Sequence, residues 1–347
     1  MPCGLFHTRY RTDERILKTA WVRSWLAILT LAILLLPLFV TSYILYVCNT
    51  IFIFTVGAIG LNILTGFTGQ ISIGHGAFVA IGAYSSAIVA TKLNLPFWVA
   101  LPMGGLTAVL IGILFGLPSL RVKGLYLAIA TLAAQFITDY TLVHWESLTN
   151  GITGMYVPSP HLFGLTFDND TKFYYLLLAF AAAAVLTGRN LFRTKIGRAL
   201  IAVRDRDIAA NLIGISLLRY KLLAFSLSSF YAGIAGSLWG YYTNIITPEH
   251  FTIVLSIDYL AMIIIGGLGS ILGTIFGVIF MTLLPEILTS ASILLKDTFG
   301  QVTTLLSAIK GLLFALAIIL FLLFEPDGLA EIWRRVKAYW KLWPFSY

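Results

Sequence analysis

Apolar runs separated by short polar joints dominate the chain, and most runs are too long for core strands. Runs near twenty residues with few charges are the signature of membrane-crossing helices. They predict helices over about 25–45 (with Pro37 inside), 50–64, 74–91, 96–117 and 125–142. A polar loop over 143–171 follows, then helices over about 173–187, 222–242, 255–265, 272–288 and 305–324. The predicted fold is therefore all-α, a polytopic membrane protein of about ten transmembrane helices. Three regions follow: a tail over 1–24, a transmembrane domain over 25–324 and a basic, aromatic tail over 325–347.

One stretch breaks the blocky pattern. Residues 60–84, GLNILTGFTGQISIGHGAFVAIGAY, lie at membrane depth yet hold Gly66, Gly69, Gly74, Gly76 and Gly82 beside Asn62, Gln70, Ser72 and His75. Polar or irregular backbone at that depth survives only inside protein or beside a wet cavity. Close helix packing accounts for the glycines, but it does not call for Gln70 or His75. A second glycine zone, IGGLGSILGTIFGVIF, carries Gly266, Gly267, Gly269, Gly273 and Gly277. Paired interrupted segments in two halves of a transporter point to a midplane site. The expectation is a pseudo-repeat and a translocation path near Asn62, Gly69, Gln70, Ser72, Gly74, His75, Gly76, Gly266 and Gly267. Either zone also fits a re-entrant segment.

Composition supports the class: 59% of residues are hydrophobic and 11% charged, against about a quarter charged in soluble domains. The net charge of +8 does not point to nucleic acid, because the basic residues sit in joints and tails. With both termini in the cytoplasm and ten alternating helices, nineteen of the 23 Lys and Arg residues fall inside. Only Lys92, Lys172 and Lys296 fall in outside loops, while Lys310 opens the last helix. That asymmetry obeys the positive-inside rule. The first run follows a basic segment but is too long for a signal core and precedes no small-x-small site, so an uncleaved helix is expected. Cys3 and Cys48, in a tail and a helix, suggest no disulfide or metal framework.

The segment 189–221 is the one long basic joint, and within it RDRDIAANLIGIS reads as a short helix. Asp205 or Asp207 is placed to cap its start, and Gly214 to end it in a left-handed conformation. Ile208 and Leu212, four apart, share one face, with Ala209 and Ala210 keeping the surface shallow. So short a helix is marginal alone in water. It needs a partner surface, either this chain's own membrane domain or another protein.

Four motifs, in order, carry a resemblance. They are the 60–84 stretch, GLYLAIATLA from Gly124, NGITGM from Asn150, and the run from Gly197 and Arg198 to Gly240, GRALIAVRDRDIAANLIGISLLRYKLLAFSLSSFYAGIAGSLWG. Together they resemble the LivM-type permease, the membrane subunit of branched-chain amino-acid ABC importers, over about 51–328. The resemblance implies an inner-membrane subunit that works with a second homologous permease, two cytoplasmic ATP-binding subunits and an extracytoplasmic solute-binding protein. ATP would be bound by those partners. Related permeases serve urea, amides and aromatic acids, so the motifs fix substrate less well than family. The resemblance also makes the short helix the coupling helix: Ala209, Ala210 and Gly214 match the Ala-Ala and Gly of the permease E-A-A-x-x-x-G motif. Ile208 stands where the acidic residue would be, so an ion pair made there in relatives is in doubt. An apolar insertion by Ile208 with a polar rim of Arg204, Asp205 and Asp207 is the expected substitute, with Leu212 beside it.

Chemistry that would make the chain self-sufficient is missing from the sequence. It contains no G-x-x-x-x-G-K-[ST] phosphate loop, no H-E-x-x-H and no C-x-x-C, and no enzymatic step is expected. A stand-alone secondary transporter or channel predicts coupling-ion carboxylates at mid-helix, and Asp139, Asp258 and Glu286 fall nearer helix ends. A respiratory-type membrane subunit predicts paired His ligands, and these are lacking too. His75 fits a ligand or a packed, hydrogen-bonded side chain. The 325–347 tail, with Trp333, Arg334, Arg335, Lys337, Trp340 and Lys341, is expected to lie on anionic lipid.

Overall fold

The computed structural model describes residues 20–119, 124–162, 165–167, 169–296 and 328–342, with single positions between 312 and 325. The basic N-terminal tail to Lys18, Cys3, the Arg121–Lys123 turn, Asp168, Lys310 and most of the 305–324 segment lie outside the described residues.

The helices, in order, are α1 (Ala20–Leu35), α2 (Ser42–Thr68), α3 (His75–Thr91), α4 (Phe97–Ser119) and α5 (Leu125–His144). They continue with α6 (Asp170–Arg193), α7 (Lys195–Asp205), α8 (Asp207–Leu212), α9 (Leu217–Thr243), α10 (Ile253–Gly266), α11 (Ile271–Lys296) and α12 (Leu329–Leu342). Among the described residues, seven helices are long and apolar enough to cross a membrane, with α3 and Ser24–Leu38 shorter apolar helices. The chain is an all-α polytopic membrane protein.

Two boundaries differ from expectation. The first apolar run does not pass through Pro37: α1 ends at Leu35, a 3-10 turn covers Leu36–Leu38, and α2 starts at Ser42 rather than near 50. Pro37 cannot donate to a continuing helix, and Thr41 turns extended before Ser42. The basic joint is helical over much of its length, because α6 runs on to Arg193 and α7 and α8 follow at once.

α9 is the central post, packed on α2, α3 and α4. Its closeness to α3 depends on missing side chains. A Cβ on Gly236 would lie 1.8 Å from the Val79 carbonyl oxygen, and one on Gly82 would lie 2.2 Å from that of Gly233. At this contact the glycines serve helix approach. The end of the bundle opposite α7 and α8 is closed by two small strand pairs. β1 (Met155–Tyr156) pairs antiparallel with β4 (Ile245–Ile246), and β2 (His161–Leu162) with β3 (Leu165–Thr166).

Candidate functional site: two chain breaks beneath a short exposed helix

α2 stops at Thr68 because Gly69 turns left-handed (φ 71°) and its N–H closes on the Thr65 carbonyl. Past that closing bond the chain runs back along α2 in irregular conformation to Gly74, and α3 starts at His75. His75 Nε2 lies 3.0 Å from the Gly57 carbonyl oxygen, eleven residues before Thr68. At 1.5 Å per helical residue that is about 16 Å back into the bundle, within reach of a six-residue extended strand of at most about 20 Å. Residues 69–74 thus run back along α2 as an irregular link between two helices, and α3 begins about midway along α2.

Backbone donors on this segment find partners, as a dry environment demands. Thr131 Oγ1 accepts from Ile73 N at 3.0 Å, and Ser256 Oγ accepts from Gly76 N at 2.7 Å. Ser256 in turn donates to Gln135 Oε1 at 3.0 Å, and Gln135 Nε2 donates to the Phe251 carbonyl at 2.8 Å. Gly74 presses on α5: a Cβ there would stand 2.0 Å from the Thr131 carbonyl oxygen. His75 is a packed, hydrogen-bonded side chain with its ring edge-on to Tyr259. Gln70 and Ser72 are less settled. Both are buried, Gln70 Nε2 donates to the Lys221 carbonyl at 3.3 Å, and neither Gln70 Oε1 nor Ser72 Oγ has a hydrogen-bond partner among the described residues.

The second break is tighter. α10 ends at Gly266, Gly267 (φ 112°) turns the chain, and α11 starts at Ile271. Gly266 and Gly273 touch backbone to backbone, a Cβ on Gly266 falling 2.2 Å from the Gly273 carbonyl oxygen. Asn62 ties this break to α2. Its Nδ2 donates to the Ser270 carbonyl (3.1 Å) and to Thr274 Oγ1 (2.6 Å), and its Oδ1 accepts from Gly269 N (2.9 Å).

The predicted path residues therefore fall into two groups. Asn62, Gly69, Gly266 and Gly267 meet at one end of the bundle, whereas Gly74, His75 and Gly76 sit deeper, against α2, α5 and α10. Gln70 and Ser72 bridge them in sequence.

At that same end sit α7 and α8. α7 is capped by Thr194, whose Oγ1 accepts from Gly197 N at 3.4 Å. Gly197 is pressed on Phe192, and Ala199, Leu200 and Val203 are buried while Arg198 faces out. Neither Asp205 nor Asp207 caps α8. The capping position belongs to Arg206, which makes no side-chain cap, Asp207 is the first helical residue, and Asp205 pairs with Arg204 at 3.0 Å. Gly214 ends α8 as expected, left-handed at φ 88°, and Ile215 N donates to the Ala210 carbonyl at 3.0 Å.

The faces of α8 are sharply divided. Ala210 is buried, but Ile208, Leu212 and Ile213 are 73%, 83% and 76% exposed. Behind the helix lies a cleft of about 600 Å³ lined by Gly69, Gln70, Arg204, Asp207, Leu212 and Lys221 among others. Ser72, Gly74, His75 and Gly76 are not among its walls. The cleft separates the short helix from the first break, leaving room for one to move against the other.

Sequence reasoning missed the supporting residues Thr131 and Gln135 on α5, and read Asp139 only as a helix-end carboxylate. Their spacing of four puts them on one helix face, and Gln135 Nε2 also donates to Asp139 Oδ1 at 2.9 Å. Such a stripe at membrane depth is a readable sign of a polar partner.

The model of the "Branched-chain amino acid transport system / permease component" family matches residues 43–323. The chain belongs to this family. It is 32% identical over 322 residues to the high-affinity branched-chain amino acid transport permease LivM of Escherichia coli, covering 86% of this chain and 72% of the relative. Identity to Salmonella typhimurium LivM is 32% over 306 residues, with 81% and 68% coverage. BraD of Pseudomonas aeruginosa is 27% identical over 289 residues, 78% of this chain and 89% of that one. No solved structure matches.

Proposed function

We propose that the chain is the permease subunit of an ATP-driven importer for branched-chain amino acids in a bacterial inner membrane. One observation carries the proposal: three large apolar side chains stand out on a two-turn helix that protrudes beside both chain breaks. An exposed apolar ridge of this kind is a docking surface, and the sequence has no phosphate loop of its own. The basic residues of 189–221 put this end in the cytoplasm. Both termini follow if ten helices alternate, the tenth being the 305–324 segment.

In this reading two ATP-binding subunits serve the complex, one of them gripping Ile208, Leu212 and Ile213. A second permease completes the path; relatives of both the LivM and the LivH type match this chain, which supports a pair of homologous subunits. The solute-binding protein docks at the opposite end, on the 145–167 loop and its strand pairs. When the ATPases close, α8 moves against the cleft, the break at Gly69 lets α2 and α3 tilt, and α10 and α11 move as one body about the 267–270 turn. No covalent bond in the solute changes. α12, with Arg334, Arg335 and Lys337 on its outward side, rests on the inner leaflet.

Co-purification in mild detergent, followed by reconstitution, tests the proposal. The expected result is recovery of a second multi-span chain and of phosphate-loop ATPases, with ATP-dependent uptake of leucine, isoleucine or valine. Uptake of urea, an amide or an aromatic acid instead would move the substrate within the family. A chain that is monodisperse alone and transports without ATP would overturn the proposal in favour of a solitary transporter or channel.

A further inference from the structure

Arg204 stands in the last turn of α7, three residues before the first residue of α8, where a residue of the partner-facing rim was expected. Its guanidinium points the other way. Nη1 donates to the Gly66 carbonyl oxygen at 2.8 Å, inside the last turn of α2. That carbonyl is among the four at a helix C-terminus with no intrahelical donor, and a cation there also meets the negative end of the helix dipole. The stem of the side chain lies against the first break: a Cβ on Gly69 would sit 3.1 Å from Arg204 Cγ. The head lies against the second break: a Cβ on Gly269 would sit 3.0 Å from Arg204 Nη1. Gly66 and Gly269 also touch each other, a Cβ on Gly66 falling 2.4 Å from Gly269 N. One side chain thus joins the end of α2 and the α10–α11 turn to the end of α7, one residue short of α8. The opposite edge of its guanidinium holds Asp205 through Nε at 3.0 Å.

We propose that Arg204 is a positioning residue, the strut that carries movement of α8 to both chain breaks. The inference rests on the proposed importer and adds to it the element that connects the docking helix to the membrane path. While the strut is seated, the ends of α2 and α10 are held together at the α8 end. When α8 is displaced, Arg204 is pulled with it, because Arg206 alone separates the two helices. Gly66 then loses its donor, and the 69–74 segment is released from the α10–α11 turn, which Asn62 keeps tied to α2. A lysine keeps the charge and can reach one carbonyl, but it lacks the planar fork that holds Gly66 and Asp205 together.

The test uses the reconstituted importer, with permease pair, ATPases and binding protein, and measures leucine uptake and ATP hydrolysis in the same proteoliposomes. Arg204→Ala should still co-purify with the ATPase and hydrolyse ATP. Uptake per ATP should fall at least tenfold, and the response of hydrolysis to solute-loaded binding protein should be lost. Arg204→Lys should recover part of that ratio. Should Arg204→Ala fail to accumulate, Arg204→Lys and Arg204→Gln are compared, and the ratio must fall from Arg to Lys to Gln. An unchanged ratio across the variants overturns the strut. So does loss of the ATPase from Arg204→Ala with normal folding, which would make Arg204 part of the docking surface. If the unsubstituted chain recovers no ATPase, it is the importer proposal that fails.

Discussion

The two chain breaks end parallel jobs in different ways. After α10 the chain turns within 267–270, glycine backbone touches glycine backbone, and Asn62 clamps the turn with three hydrogen bonds. After α2 the chain stays irregular over 69–74, climbs about 16 Å into the bundle, and leaves Gln70 Oε1 and Ser72 Oγ without hydrogen-bond partners among the described residues. Buried polar atoms without partners cost free energy in the state that leaves them so, and a state that satisfied them would gain by that amount. The second break is built as a fixed corner and the first as a segment with somewhere else to go. In the proposed cycle the 69–74 segment moves while the 267–270 turn keeps its shape.

That contrast is breakable. The largest effect is expected at Gly74→Val, where backbone oxygen already stands 2.0 Å from the first added carbon. Overpacking by two further methyls should cost about 3 kcal/mol and remove the folded protein from detergent-solubilised membranes, read by fluorescence-detected gel filtration. Asn62→Ala should come next. It takes the acceptor from Gly269 N, while the Ser270 carbonyl keeps Thr274 N and Oγ1; this costs about 1–3 kcal/mol and should lower the thermal midpoint by several degrees. His75→Gln, by contrast, keeps a donor for the Gly57 carbonyl and should cost about 1 kcal/mol with transport retained. A His75→Gln variant that folds normally but cannot transport would return the side chain to the path. The smallest effect is expected at Ser72→Ala. It removes an unpaired hydroxyl and should leave stability within about 0.5 kcal/mol. If Ser72 finds its partner only in another state of the cycle, uptake will fall while the melting curve stays put.

The class, most of the apolar helices and the short helix were legible in outline, because hydrophobic length and a capping glycine are local signals; the break at Pro37 and the helical 195–205 stretch were not. Gly214 is an example: it is left-handed where the pattern places the end of α8. Gly69 and Gly267 were legible as interruptions. What they join was not, since Asn62 reaches Gly269 across two hundred residues of sequence. The direction of Arg204 was lost for the same reason. A charged residue beside a docking helix reads as rim, and only the fold shows the Gly66 carbonyl waiting on its inner side. The caps at Asp205 and Asp207 failed because Arg204 claims Asp205 and α8 begins one residue later than that aspartate required.

The central claim is that the α8 ridge is where an ATPase holds this subunit. The most direct measurement is quantitative recovery of the ATPase with a tagged permease carrying both Ile208→Asp and Leu212→Asp. These exposed positions contribute little to folding, so the second permease should still be recovered in full. The account predicts that the ATPase is lost or reduced at least tenfold while the permease pair survives. Full ATPase recovery together with normal ATP-driven uptake would contradict it.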